Sequence, residues 1–163
     1  MEAQQNSDRK IWAKSVIREA IKAIDGFSDE ILKAQTGAAV EEIDQMTAAA
    51  DRETCKRCRG TANVGGPVLH YGIPGGCFRC DVTGQALTRR AAVQIGQRRK
   101  ALTRRHDEFA VKLYQAEIQA FESIETLHPR AWAACAERYR KRTARKIEAL
   151  RVQITRAADR LNK

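Results

Sequence analysis

The sequence predicts a mainly α-helical protein with an N-terminal three-helix unit, a central knuckle built on four cysteines with a short hairpin, and a long C-terminal antiparallel helical hairpin of coiled-coil character. Three observations carry that expectation. Apolar residues recur at helical spacing through both ends of the 163-residue chain. Four of its five cysteines and seven of its ten glycines fall between Cys55 and Gly84. Charge is also segregated: residues 1–54 carry 7 basic and 11 acidic side chains, 55–85 carry 4 and 1, and 86–163 carry 19 and 8. The net +10 therefore belongs to the C-terminal half, and the expected boundaries are 1–54, 55–85 and 86–163.

The first helix is expected in "DRKIWAKSVIREAIKAI", where Ile11, Trp12, Ser15, Val16, Ala20, Ile21 and Ile24 line one stripe. Asp25-Gly26 ends it. Ser28 is the expected N-cap of a second helix, with Asp29 and Glu30 in the first turn, where the helix dipole favours carboxylates. Gly37 is expected to interrupt, and "AAVEEIDQMTAAADRE" resumes a helix through Val40, Ile43 and Ala50. The break at "QTGAA" has a helix-turn-helix outline. Glu41, Glu42 and Asp44 would repel phosphates, so packing or partner binding is the expected role of this third helix.

The middle segment reads "CKRCRGTANVGGPVLHYGIPGGCFRCDVTG". Cys55-x2-Cys58 and Cys77-x2-Cys80, separated by 18 residues, have the spacing of a four-cysteine zinc site. Each pair can form a tight knuckle with both sulfurs on one metal, and two knuckles complete a tetrahedron. Such a site is closed, so one structural Zn2+ is expected rather than a catalytic one. Lys56, Arg57, Arg59 and Arg79 offset the net charge of about −2 on a zinc with four thiolates. The glycine-rich stretch between the pairs predicts a short hairpin, with Val68, Leu69 and Tyr71 as its apolar members. A segment this poor in apolar residues cannot fold on burial alone, and metal binding would supply the missing free energy. His70 is the only nearby substitute ligand.

"CKRCRGTA" and "CFRCDVTG" resemble the C-x-x-C-x-G-x-G repeats of the cysteine-rich zinc domain of DnaJ-type co-chaperones. The resemblance covers residues 55–84 and half of such a domain, which has four repeats and two zincs. Ala62 and Val82 stand where the repeats have glycine. No His-Pro-Asp motif of a J-domain occurs, so the co-chaperone role is not carried over; peptide holding is what the resemblance alone would imply. The stretch "GGPVLHYGIPGGCFRCDVTG" is also similar to small zinc-knuckle proteins of phages and plasmids. That similarity implies a zinc-dependent accessory factor with Cys55, Cys58, Cys77 and Cys80 as ligands.

From Thr88 to Leu127 no proline occurs, and apolar or small residues recur every seven positions: Ile95, Leu102, Phe109 and Ala116 on one line, Leu113, Ala120 and Leu127 on another. "LHPRAW" breaks the run, with Pro129 suited to the first turn of a second helix carrying Trp132, Ala136, Tyr139, Thr143, Ile147, Leu150, Ile154 and Leu161. The arms would be about 50–60 Å long. His106 and other polar residues interrupt the seam, so a third helix, the N-terminal unit or a second copy of the chain is expected to cover it. Cys135 beside the apolar face is expected to act as a small buried hydrophobe.

"RYRKRTARK" holds six cations in nine residues, and Arg138, Lys141, Arg142, Arg145 and Lys146 form the expected polyanion-binding surface together with Arg98, Arg105 and Lys112 on the preceding helix. The bland alternative is a solvated surface partly neutralised by Glu108, Glu117, Glu122, Glu137 and Glu148. No nucleophile elbow, phosphate-binding glycine loop or zinc-hydrolase motif occurs, so an enzyme is not expected. The expected function is a zinc-binding protein directed at nucleic acid or a nucleic-acid-processing protein in transcription or its regulation. The alternative is a phage- or plasmid-type inhibitor or adaptor whose zinc loop and acidic N-terminal helices dock on a host protein, the zinc being purely structural; an acidic host protein is the other expected partner of the basic surface. The N-terminus has no signal-peptide pattern and no apolar run spans a bilayer, which predicts a cytoplasmic protein.

Overall fold

A computed structural model describes residues 2–67, 69–70, 72–134 and 137–162, with side chains described from Ile11 onward except for Arg138. The elements in chain order are α1 (Glu2–Ile24), α2 (Phe27–Ala48), β1 (Arg52–Thr54), β2 (Leu69–His70), β3 (Ile73–Pro74), β4 (Gln85–Leu87), α3 (Arg89–Leu127), α4 (Pro129–Ala133) and α5 (Glu137–Leu161). The fold is mainly α, as the sequence predicts. No helix among the described residues is long and apolar enough to cross a membrane. The expectations for Val68, Tyr71, Cys135 and Ala136 lie outside the described residues.

Two compact units form: residues 1–37 with 103–163, and residues 38–102. The first is an all-helical bundle. Its core joins Ala13, Ile17 and Ile21 of α1 to Phe121 and Ile124 of α3, Ala131 of α4 and Leu150 of α5. Val16, Ala20, Ile24, Tyr114, Ile118, Trp132, Tyr139 and Ile147 pack around them. Ion pairs Asp107–Arg160 and Glu122–Arg151 run in opposite chain directions, so the two long helices are antiparallel here. The N-terminal helix covers their seam.

Several local expectations are corrected. Ile11 and Trp12 are exposed, because α1 turns its small Ala13 toward the core and rotates the buried stripe by one residue. Val40 and Leu127 are exposed as well. The N-terminal segment has two helices rather than three, since α2 runs through Gly37. A helical glycine costs only about 1 kcal/mol, and burial of Leu32 and Ile43 on either side outweighs it. Ser28 does not cap: α2 starts at Phe27, and the Gly26 carbonyl accepts the Glu30 N–H at 3.1 Å. The Ser28 N–H instead donates to the buried Glu117 carboxylate at 3.3 Å. Pro129 opens α4 at its first turn as expected, but that helix ends at Ala133 and the long arm begins at Glu137.

In the second unit β1 pairs antiparallel with β4, in the register Arg52–Leu87, Glu53–Ala86 and Thr54–Gln85. β2 pairs with β3 through Leu69–Pro74 and His70–Ile73, the expected short hairpin. Leu69, one of the hairpin's expected apolar members, is exposed. Thr88 caps α3, its hydroxyl accepting the Ala91 N–H at 3.3 Å, while its own N–H reaches the Asp51 carbonyl at 3.0 Å.

Candidate metal centre and cationic groove

The β1–β4 ladder closes the knuckle segment at its base and brings the two C-x-x-C pairs face to face. The pairs are built alike. Thr61 and Thr83 each donate a backbone N–H to the carbonyl of the preceding cysteine, Cys58 and Cys80, at 3.0 and 2.9 Å. Their hydroxyls donate to those carbonyls too, at 2.6 and 2.5 Å. Each knuckle then holds the other: the Cys77 N–H donates to the Ala62 carbonyl and the Cys55 N–H to the Gly84 carbonyl, both at 2.9 Å.

The backbone repeats with equal fidelity. Arg59 (φ 50°), Gly60 (85°) and Ala62 (63°) match Asp81 (47°), Val82 (62°) and Gly84 (77°). The positions at which C-x-x-C-x-G-x-G repeats carry glycine are therefore left-handed here, including the two occupied by Ala62 and Val82. A left-handed backbone lets the loop fold back over its own sulfurs.

All four cysteines are buried and free of disulfides. Their sulfurs lie within 4.8 Å of one another, with Cys55–Cys77 at 3.8 Å and Cys58–Cys80 at 3.6 Å. A tetrahedron of sulfurs about 2.3 Å from its centre has edges of about 3.8 Å, whereas a disulfide needs about 2.05 Å. The four side chains can thus hold one metal ion. The Cys55 thiol is held down to about 7 by hydrogen bonding to the Cys58 backbone, against the cost of burial. Cys80 is pushed up to about 11, chiefly by burial. Among the described residues, Ala86 is the one other apolar side chain buried in this cluster. His70 stays out of the thiol cluster, its Nε2 lying 3.3 Å from Asp81 Oδ1.

The basic residues singled out in the sequence separate into different settings. Arg98 is ion-paired with Glu42 within the 38–102 unit. Arg105 and Lys112 are exposed on α3. On α5, Lys141 pairs with Glu137 at 2.9 Å, while Lys146 and Arg142 reach Asp25 at 2.5 and 3.9 Å. Arg145 is exposed with no ion-pair partner among the described residues, and the side chain of Arg138 lies outside the description.

Lys141, Arg142, Arg145 and Lys146 line a groove of about 950 Å3 together with Tyr139, Glu137 and Arg18. Arg18 comes from α1, one residue after the buried Ile17. Sequence reading missed it because no local pattern couples α1 to a helix 120 residues later. Arg98, Arg105 and Lys112 do not line this groove.

No protein-family model matches the chain, and no curated protein or solved structure matches it either. The chemistry of both sites accordingly rests on their own geometry.

Proposed function

We propose that this protein is a non-enzymatic, zinc-stabilised binder of nucleic acid or of a nucleic-acid-processing assembly, engaging phosphates through the groove on α1 and α5. The observation that carries the reading is that lining: five cations against one carboxylate, with Asp25 partly neutralising two of them. Arginine and lysine at such a surface neutralise phosphates and release condensed counterions, with no need for base contacts.

Zinc is the metal whose preferences fit four buried thiolates best, being tetrahedral, sulfur-tolerant and redox-inert. Four protein ligands fill its coordination sphere and leave no position for a substrate. When bound it would supply folding free energy to a knuckle whose buried apolar cluster, among the described residues, consists of four cysteines and one alanine. The DNA- or RNA-binding reading is tested by titrating labelled duplex with the zinc-loaded protein at several salt concentrations. With two carboxylates set against the five cations, about three neutralised phosphates predict a log–log slope of about −3; absence of binding at low salt would contradict the reading.

A second reading, an inhibitor or adaptor docked on a host protein, draws support from Ile11 and Trp12, which are 63% and 55% exposed on α1. Capture of a stoichiometric protein from a nuclease-treated lysate, lost on Trp12→Ala, would favour it over the first.

A further inference from the structure

The knuckle carries an aromatic side chain that its own core does not bury. Phe78 occupies the second position of the second C-x-x-C, where the interior is filled by sulfur, and its side chain is 56% exposed. It is nonetheless held in place. The Arg57 guanidinium carbon lies 3.8 Å from the ring centroid on one face. The His70 ring meets its edge at 80° with centroids 6.5 Å apart, and His70 is itself tied to Asp81. The stack thus joins the first knuckle, the β2–β3 hairpin and the second knuckle around one open phenyl ring.

Arg59 and Arg79 are exposed in the same knuckle with no ion-pair partner among the described residues, and Lys56 has only a loose contact with Glu53 at 3.7 Å. A pre-ordered flat aromatic–guanidinium pair among exposed cations matches two features that occur together in one class of ligand, a planar base and the phosphates flanking it.

We propose that Arg57 and Phe78 form a stacking platform for an unpaired base of single-stranded nucleic acid, with Arg59 and Arg79 holding the adjacent phosphates. The proposal rests on the nucleic-acid reading above but concerns a separate site with its own preference. A duplex keeps its bases stacked on each other and gains nothing from the ring, whereas an extruded base covers it. An acidic peptide would satisfy the arginines and leave the phenyl ring open, so the nucleobase is the better fit.

The test measures fluorescence anisotropy of a labelled 12-nucleotide single strand and of its duplex against full-length, zinc-loaded protein. Phe78→Ala is expected to weaken single-strand binding about ten-fold or more while changing duplex binding less than two-fold. Phe78→Trp is expected to retain or improve single-strand binding. Arg142→Glu with Arg145→Glu, in the groove, is expected to weaken both ligands. Zinc stoichiometry equal to wild type shows that each variant keeps its knuckle.

Equal single-strand affinity of Phe78→Ala and wild type, or equal losses on both ligands, would overturn the platform and leave the groove reading standing. Wild-type binding of duplex alone would do the same. Binding of neither ligand would remove both, and Phe78-dependent binding of poly-glutamate but not of the oligonucleotide would replace the platform with a protein-docking surface.

Discussion

At the scale of single residues, the knuckle is governed by backbone handedness as much as by sulfur. Gly84 has φ +77°, and a Cβ there would stand 2.4 Å from the Gly60 carbonyl oxygen, a backbone atom that cannot swing away. Gly84→Ala is therefore expected to destabilise the loaded knuckle by more than about 2 kcal/mol, read as weakened zinc retention against a chromophoric chelator. Val82 points the opposite way. A β-branched residue at φ +62° stores backbone strain, so Val82→Gly is expected to stabilise the knuckle by about 0.5–2 kcal/mol, after allowing for the extra chain entropy of glycine. Ala62→Gly follows the same logic with a smaller gain. A retention assay that ranked Val82→Gly below wild type would contradict the strain argument.

At the scale of elements, the pairing of α3 with α5 turns on one buried carboxylate. Asp107 is 3% exposed and accepts one bifurcated hydrogen bond from Arg160 Nε, 3.2 Å to Oδ1 and 3.1 Å to Oδ2, and a second from its Nη2 at 2.6 Å. That guanidinium, and secondarily His106, holds the Asp107 carboxyl below its ordinary value despite burial. A depressed carboxylate contributes stability above its unfolded-state pKa of about 3.9 and loses it as pH falls through the lower folded value. Acid denaturation monitored by circular dichroism should therefore steepen below about pH 4 in wild type.

The two partners are not equivalent. Arg160→Leu strands a buried charge and is expected to cost about 2–4 kcal/mol at pH 7, while Asp107→Asn leaves a half-exposed arginine in water and costs about 1–2 kcal/mol. Urea midpoints in the reverse order would refute this account of the helix pair. The helix pair itself was legible from its seven-residue periodicity. Its polar lock was not, because Asp107 and Arg160 become partners only through tertiary packing.

At the scale of the whole chain, what could be read in advance follows how local its causes are. The convergence of the four cysteines was legible because each C-x-x-C builds its own knuckle and two such pairs can share one ion. The short β2–β3 hairpin followed from its glycines. The β1–β4 ladder was not legible, since "RET" and "QAL" are too short to show alternation and pair only once the knuckle lies between them. Gly37 misled because a local helix penalty was outweighed by burial on both sides, and Trp12 because periodicity alone does not say which edge of an apolar stripe faces a partner. The cationic groove was half legible: α5 announced its cations, but Arg18 entered through the packing of α1.

The account depends most on the metal. Its most direct test is elemental analysis of freshly purified, reduced protein combined with amide exchange of residues 52–87 before and after chelation. One zinc per chain, with protection of Cys55, Cys77, Thr61 and Thr83 lost on chelation, is the predicted result. Protein without stoichiometric metal, whose amide protection is the same with and without chelator, would contradict it.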